Sequence, residues 1–312
     1  MFEIKGKVST ALCYANVVED EAIEQIRRMC DYEFTAGSEI RIMPDVHAGK
    51  GCTIGTTMTI TDKVVPNIVG VDIGCGMYTV ELGKVDIDFE RVDEAAHFIP
   101  SGHNTWEGRL ERFDLTGLRC YRSLKLTKRL EKSLGTLGGG NHFIEIDAAA
   151  DGTKYLVIHS GSRNLGKQVA EIYQALAVDL NMGKEELFKK QDELIRSYKV
   201  KGRRSEIDAA LKALKKEWKA NEPTIPPDLC YVYGKYMEDY LHDVEICQRF
   251  AKRSRERMAE ILLARTDMQA LSAFHTIHNY ISTDEMILRK GAIAAREGEP
   301  LLIPINMRDG SV

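Results

Sequence analysis

The segment NIVGVDIGCGM, residues 67–77, decides the fold because it belongs to a series of short apolar runs broken by glycine. The series covers Ile40 to Leu82 and reads IRIMPDV, CTIGTTMTI, VVPNIVGVDIGC and GMYTVEL. Runs of this kind are typical of strands whose ends approach another group closely. Within the segment, Asp72 and Cys75 stand three residues apart on a glycine-flanked turn, so their side chains can converge on one point. A thiolate there can bridge two metal ions, whereas the plainer interpretation is a buried core cysteine.

Histidines occur at three further places where a strand or loop is expected to end. His142 follows a glycine-rich loop at 135–140, His159 lies in VIHSGSRN, and HTIHN places His275 and His278 at i, i+3, close enough in a helix for one metal. Each taken alone is more simply a hydrogen-bonded structural residue. Together with Asp72 and Cys75 they suit a borderline transition metal such as Mn²⁺, Co²⁺ or Zn²⁺.

Basic side chains add a second pattern. Arg163 in SGSRN and Lys290 in RKGA accompany the histidines, and the glycine loop offers backbone N–H groups to a phosphate. Residues 107–132 carry eight basic side chains against four acids, and Arg249, Arg253 and Arg257 share one face of a predicted helix at i, i+4 and i+8. Arg163 and Lys290, beside candidate metal ligands, suggest a phosphate oxyanion, and ordinary surface charge is the alternative for these basic residues.

Composition limits the class of protein. The chain has 312 residues, 43 Lys+Arg against 47 Asp+Glu and a formal charge of −4, so any nucleic-acid site must be a local patch. No apolar run approaches the roughly 20 residues that span a bilayer, and the N-terminus has no apolar signal core. Seven scattered cysteines predict reduced thiols, and we expect a cytoplasmic protein with no membrane partner.

The expected architecture is α+β: residues 1–312 form one domain of layered mixed β-sheets flanked by helices. Helices are predicted near 19–32, 167–180 and 234–265 from apolar spacing. Residues 183–222 are highly charged and predict a helical hairpin inserted in the domain and projecting from it, broken near Lys201–Gly202 and closed by Pro223, Pro226 and Pro227.

Several common nucleotide motifs are absent from the sequence. There is no GxxxxGK[ST] P-loop, no lysine in a KxDG setting and no GxSxG elbow. If a nucleotide is activated here, a residue other than such a lysine must accept it.

Six sequence blocks, taken in order, closely resemble the RtcB family of RNA-splicing ligases. They are MPDVHAGKGCTIG (43–55), NIVGVDIGCGM (67–77), LGTLGGGNHFIEI (134–146), VIHSGSRNLG (157–166), HNYI (278–281) and RKGA (289–292). The resemblance implies an enzyme that joins RNA ending in a 2′,3′-cyclic phosphate or 3′-phosphate to RNA beginning with a 5′-hydroxyl, as in tRNA splicing or RNA repair. It also implies GTP and two Mn²⁺ ions as cofactors, and an intermediate guanylylated on histidine.

Residue by residue, the resemblance assigns metal ligands, nucleotide contacts and phosphate contacts. Cys75 would bridge both ions, with His142 and His159 completing one site and Asp72 and His278 the other. The nucleotide would be contacted by Asn141, His142, Glu145, His278, Asn279 and Asn306. Arg163 and Lys290 would hold RNA phosphates, and the basic faces at 119–132 and 249–257 are expected to contact RNA as well. His275 matches no ligand, and Asp45, His47 and Lys50 lie near the site with no assigned role.

The family's nucleophilic histidine lies in an HGxGR block after an IPxxM segment. This sequence has Ile303-Pro304-Ile305-Asn306-Met307 and reaches Val312 without an HGxGR block. The nucleophile is thus expected outside these 312 residues, and the catalytic residue is unassigned. Two alternatives remain open: a metal-dependent phosphoesterase that opens cyclic phosphates, and an RNA-binding homologue without activity.

Overall fold

The computed structural model describes residues 1–218, 224–306 and 310–311, with the side chains of 305, 306 and 310 left aside. The helices are α1 Asp20–Met29, α2 Pro66–Val69, α3 Phe89–Phe98, α4 Thr127–Lys132, α5 Arg163–Asn181, α6 Glu185–Val200, α7 Ile207–Glu217 and α8 Gly234–Thr266. The strands are β1 Phe2–Lys5, β2 Thr10–Cys13, β3 Ile40–His47, β4 Ile54–Thr59, β5 Lys63–Val64, β6 Gly76–Gly83, β7 Phe143–Ala148, β8 Lys154–Ser160, β9 Val232–Tyr233, β10 Ser272–Ile277, β11 Asn279–Ser282, β12 Ile287–Lys290, β13 Pro304–Asn306 and β14 Gly310–Ser311.

The larger sheet has six strands in the order β1-β2-β3-β4-β12-β11. Strands β2 and β3 pair in parallel and the other neighbours pair antiparallel, so the sheet is mixed. Its apolar side chains, such as Ile40, Ile42 and Met58, are fully buried in the largest hydrophobic cluster. The predicted α+β class with mixed sheets is confirmed.

The smaller sheet has four antiparallel strands in the order β10-β6-β8-β7. Side chains alternate between its faces because successive residues of a strand point to opposite sides. Val80 and Ile158 pack with Met258 and Leu262 of α8 on one face, and Met77 and Val157 pack with Leu302 on the other. This alternation sends His159, two residues after Val157, to the face that α8 does not cover.

Helix α8 connects the two sheets. It spans 33 residues, in agreement with the predicted helix at 234–265, and contacts β6 and β8 of the smaller sheet as well as β11 of the larger one. Burying a side chain such as Leu262 contributes roughly 2 kcal/mol. No helix among the described residues is both long and apolar enough to cross a bilayer.

The charged segment forms the predicted pair of helices, α6 and α7, separated by a turn at Lys201–Gly202. Gly202 adopts φ +73°, a left-handed conformation that commonly ends a helix. The base of the pair is tied to the rest of the chain, since the Tyr233 hydroxyl donates to Glu185 at 2.9 Å. Pro223, one of the three prolines predicted to close the hairpin, lies outside the described residues.

Three local predictions are wrong. Residues 66–69, expected as part of a strand, form α2, because Pro66 at the first helical position has its φ angle preset for a helix. The helix predicted from Lys167 begins at Arg163. His275 and His278 do not share a helix face: His275 lies in β10 and His278 falls between β10 and β11.

Candidate metal centre

The turn between α2 and β6 places Asp72 and Cys75 side by side. Gly74 has φ +79° and its N–H donates to the Asn279 carbonyl at 2.6 Å, while the Cys75 N–H donates to the Asp72 carbonyl at 3.2 Å. Glycine suits this position because other residues rarely adopt positive φ. Cys75 is 2 % exposed. The expectation that the glycine-flanked turn brings these two side chains together is confirmed.

His142 and His159 are positioned by the pairing of β7 with β8. Phe143 lies opposite His159 in the register, so His142 at the start of β7 reaches the same end of the sheet. His142 Nδ1 lies 3.1 Å from the Leu137 carbonyl, and His159 Nδ1 lies 2.9 Å from the Asn141 carbonyl. A carbonyl only accepts, so both Nδ1 atoms carry a proton and both rings turn Nε2 toward Cys75, the orientation needed for coordination through Nε2.

His278 enters the same point from the junction of β10 and β11. Its backbone N–H donates to the Cys75 carbonyl at 3.0 Å, and its Nε2 lies 3.4 Å from His159 Nε2. The five side chains named as ligands from the sequence therefore meet at one place.

The ligand atoms fall into two groups of three that share Cys75. One is Asp72, Cys75 and His142, and the other is Cys75, His159 and His278; within each group all ligand atoms lie within 4.8 Å of one another. Cys75 Sγ is 3.5 Å from His142 Nε2 and 3.3 Å from His159 Nε2. This grouping of the donor atoms differs from the division of metal ligands expected from the resemblance, which placed His142 with His159 and Asp72 with His278. His142 Nε2 instead lies 2.9 Å from Asp72 Oδ2.

The protonation states of the donors suit a transition metal. Burial lowers the pKa of His159 to about 4 and that of His278 to about 3, and the neighbouring imidazoles act in the same direction. Both rings are neutral at pH 7, as metal ligands must be. Burial raises the pKa of the Cys75 thiol well above its usual value, so binding a cation there must release a proton. Burial also tends to raise the pKa of Asp72, but contact with His142 outweighs it and the net shift is downward.

Sequence reasoning missed Arg255 of α8, which stands directly behind the centre. It is fully buried, and its Nη1 donates to the carbonyls of Gly74 at 2.8 Å and Ser160 at 2.6 Å. These carbonyls adjoin Cys75 and His159, so one guanidinium holds both ligand-bearing segments. Burial lowers the pKa of Arg255 to about 10, which leaves it charged at pH 7. One sequence signal could have found it: Arg255 is spaced to lie on the same face of the helix as the apolar residues Ala251 and Met258.

Two glycines allow the backbone to approach the ligands. A Cβ on Gly161 would overlap the Asp72 carboxylate, and a Cβ on Gly138, at φ +98°, would overlap the Arg163 guanidinium and His142 Nδ1. The close approach predicted for the glycine-broken runs of residues 40–82 is confirmed at Gly76, where a Cβ would overlap the Thr276 carbonyl.

The two expected phosphate contacts occupy different environments. Arg163 adopts φ +58° and donates from Nη2 to the Gly102 carbonyl at 2.6 Å and from Nε to Thr136 Oγ1 at 3.0 Å. Lys290 is 5 % exposed, and its Nζ donates to the carbonyls of Lys50 at 2.5 Å and Cys52 at 3.1 Å. Lys290 thereby fastens the 43–55 segment to β12 in this conformation.

The residues named for nucleotide contact surround the centre without sharing one pocket wall. Asn141 is exposed, and Asn279 Oδ1 accepts from the Gly291 N–H at 2.9 Å. Glu145 is half-buried on β7, and burial together with Asp147 raises its pKa. The side chain of Asn306 lies outside the part of the chain that is described.

Residues near the centre with no assigned role have local partners. His47 Nδ1 lies 2.8 Å from the Asp45 carbonyl. His275 faces away from the ligands, stacked on Tyr78 with ring centroids 4.3 Å apart and with Nε2 3.3 Å from Glu256. Burial lowers the pKa of His275 to about 3, so the contact with Glu256 is a hydrogen bond from a neutral ring at pH 7 rather than an ion pair. The exclusion of His275 from the ligand set is consistent with this position.

Taken together, the mixed sheets and the two donor groups joined by one cysteine define an α+β protein with a candidate metal site. A family described as "tRNA-splicing ligase RtcB" matches residues 25–116 and 116–312. The RNA-splicing ligase RtcB of Escherichia coli K12 is 28% identical over 93% of this chain and 72% of its own length. The tRNA-splicing ligase RtcB of Archaeoglobus fulgidus is 29% identical over 49% of this chain and 43% of its own length. The chain belongs to the RtcB family.

Proposed function

We propose that this protein is an RNA ligase that uses GTP and Mn²⁺ to join an RNA 3′-phosphate or 2′,3′-cyclic phosphate to a 5′-hydroxyl. Its substrates are tRNA halves or broken RNA with these ends. The observation that carries the proposal is the meeting of five donor side chains in two groups that share Cys75. Membership of a family of RNA-splicing ligases supports the same reaction class.

The donor set fits a pair of Mn²⁺ ions. Imidazole, thiolate and carboxylate donors suit borderline transition metals, and the hydrogen bonds at both Nδ1 atoms fix the two rings for coordination through Nε2. Asp72, Cys75 and His142 would hold one ion, and Cys75, His159 and His278 the other. Bound there, metal ions would neutralise charge on phosphate oxygens and align a nucleophile.

The residues around the donors can bind and orient a terminal phosphate. The Arg163 guanidinium lies against Gly138, beside His142, so that a Cβ at position 138 would overlap it. Guanidinium groups suit phosphate oxygens. Asn141, Glu145, Asn279 and Asn306 are the proposed contacts to the guanine nucleotide. Arg163 and Lys290 are the proposed phosphate contacts, and for Lys290 this requires release of its two backbone carbonyls.

Metal content separates this proposal from a structural role for Cys75. Cys75→Ala is expected to bind no Mn²⁺, whereas Cys13→Ala, which removes an equally buried thiol from β2, keeps the wild-type metal content. Metal per chain is measured by mass spectrometry after gel filtration. Full metal content in Cys75→Ala would refute the shared-cysteine site.

The reaction is tested with a 3′-phosphorylated RNA, a 5′-hydroxyl RNA, GTP and Mn²⁺. The expected result is a joined RNA that needs both GTP and Mn²⁺. A GMP adduct within these 312 residues, seen by intact mass spectrometry and located by peptide mapping, would contradict the expectation that the guanylylated histidine lies outside them. Opening of a cyclic phosphate with no GTP requirement and no adduct would favour the phosphoesterase. RNA binding with neither reaction would favour the inactive homologue.

A further inference from the structure

A groove leads away from the metal centre toward Trp106. It begins in a cleft of about 590 Å³ lined by Asp72, His142 and Arg163. That cleft shares Thr105, Leu126 and Arg129 with a second cleft of about 700 Å³, which ends at Trp106, Lys128 and Lys132. We call the two joined clefts the basic groove.

The charge of the basic groove differs from that of the whole chain. Its lining includes five cationic side chains, Lys128, Arg129, Lys132, Arg163 and Lys167, and a single carboxylate, the ligand Asp72. Within the described residues, Lys128, Arg129, Lys132 and Arg163 form no ion pair with an acid, and Lys167 has only a 3.8 Å contact with Glu171. For a protein of net charge −4, this is a concentrated positive surface.

The groove is built onto the same backbone that carries the ligands. The Gly102 N–H donates to the Gly138 carbonyl at 2.7 Å, and Arg163 donates to the Gly102 carbonyl at 2.6 Å. Arg129 Nη2 donates to the His103 carbonyl at 2.8 Å, which joins α4 to the same turn. The groove wall therefore has a fixed position relative to His142.

Backbone strain coincides with the groove. Among the residues that the structure describes, four non-glycine residues have positive φ, and two of them, Leu126 at +53° and Arg163 at +58°, line the groove. Strained conformations of this kind concentrate at binding sites, where the surroundings hold them in place. Leu126 is 71 % exposed, so the strain does not serve core packing. This backbone conformation places the apolar side chain of Leu126 beside a row of cations.

We infer that the basic groove binds the single-stranded segment of the RNA whose terminal phosphate lies at the metal centre. This inference rests on the proposed function. Arg163, Arg129, Lys132 and their neighbours would contact successive phosphates, and Leu126 and Trp106 would contact base faces. A row of cations with apolar and aromatic side chains is the usual platform for single strands bound without sequence preference. Contacts to phosphate fix the register of the strand and carry no sequence information.

A charge-neutralising pair tests the groove. Lys128→Gln/Lys132→Gln removes two exposed or half-exposed cations of α4 at i, i+4, and Lys212→Gln/Lys216→Gln removes two exposed lysines with the same spacing from α7. The probe is a 3′-phosphorylated RNA of about ten nucleotides, titrated over a range of salt concentrations with Mn²⁺ present. Each lost phosphate contact on a single strand lowers the slope of log K against log salt by about 0.7. The groove variant is expected to lose about 1.4 in slope, and the α7 variant none.

A second variant separates the groove from general charge effects. Leu126→Gly removes the exposed apolar side chain and relieves the positive φ, so its melting temperature is expected not to fall. Its affinity for the same RNA is expected to fall several-fold at unchanged salt slope. A 4-thiouridine next to the 3′-phosphate should crosslink to residues 103–106 or 126–132.

The outcomes are distinguishable from failure of the proposed function. Two results would overturn RNA binding in the basic groove while leaving the ligase proposal intact. One is metal-dependent RNA binding with the same salt slope in the groove variant and the wild type. The other is a crosslink to the groove from the 5′-hydroxyl strand alone. Absence of metal-dependent RNA binding would overturn both. A slope lowered equally by both lysine pairs would show diffuse charge attraction and would also overturn the groove.

Discussion

The basic groove and the arginine face of α8 look alike in the sequence and differ in the structure. Both are rows of basic residues, at 119–132 and 249–257, and both were expected to contact RNA. In the groove, within the described residues, the single ion pair of a lining cation is the 3.8 Å contact of Lys167 with Glu171, and Asp72 is the one carboxylate in the lining. On α8, Arg253 donates twice to Glu111 at 2.7 Å and once to Glu260 at 2.7 Å, and Arg257 also contacts Glu111 at 3.5 Å.

The difference shows that pairing, rather than local charge density, determines what a basic stretch can bind. Glu111 is 142 residues away from Arg253 in sequence and lies just before the other basic stretch, 119–132. Contact with Glu111 raises the pKa of Arg253, as expected for a guanidinium held in a fork of carboxylates. A guanidinium already paired with carboxylates in this way binds a phosphate more weakly than an unpaired one.

The largest effect is expected for Arg255, an arginine of the same helix that is neither paired with an acid nor open to a groove. Arg255→Met should lower metal affinity by roughly tenfold to a hundredfold, because groups that orient metal ligands typically contribute that much. The unfolding free energy of the metal-free protein should change by less than about 2 kcal/mol, because two effects of the substitution oppose each other. It removes two hydrogen bonds to backbone carbonyls. It also removes two buried N–H groups, Nε and Nη2, that have no partner among the described residues.

The measurement for Arg255 is Co²⁺ titration followed by the thiolate-to-cobalt absorption band, with urea unfolding alongside. Arg255→Lys, which keeps the charge and one donor, should recover part of the affinity. Wild-type Co²⁺ affinity in Arg255→Met would show that the guanidinium does not position the ligands.

An intermediate effect is expected for His275, which borders the paired face through Glu256. Its pKa of about 3 lies below the unfolded value of about 6.5, so the unfolded chain takes up this proton first and stability falls as pH drops below 6.5. At pH 5.5 the loss is about 1.4 kcal/mol relative to pH 8. His275→Gln should remove this part of the acid sensitivity, measured by urea unfolding at both pH values. An unchanged pH dependence in His275→Gln would contradict a neutral buried ring.

The smallest effect is expected from breaking the pairs on α8. Glu111→Gln/Glu260→Gln leaves Arg253 and Arg257 with Glu256 as the remaining acid of their cluster, at 3.4 Å from Arg253. Stability should fall by only about 1 kcal/mol because these side chains are partly exposed. The salt slope for RNA binding should steepen by up to about 0.7 for each freed cation. An unchanged slope would show that geometry, and not pairing alone, keeps RNA from this face.

The fold class and the side chains that meet at the centre were predictable because they depend on local signals. Glycine-broken apolar runs marked the ends of strands, and side chains with metal-binding chemistry stood at those ends. The grouping of the donor atoms around Cys75 was not predictable, since it depends on the register that sets Phe143 opposite His159 and on the link from His278 to Cys75. Arg255 was hidden for a related reason: its partners are backbone carbonyls of two distant segments.

Burial of the shared cysteine has a consequence for the life of the protein before it acquires metal. Thiols react with peroxide and alkylating agents as thiolates, and burial keeps Cys75 in the protonated form at 2 % exposure. The newly folded chain is thereby shielded from oxidative damage at the one side chain that both ligand groups need. If the proposed site takes up metal, the sulfur would ionise only when the cation replaces its proton, so that metal uptake and thiol ionisation would be a single event.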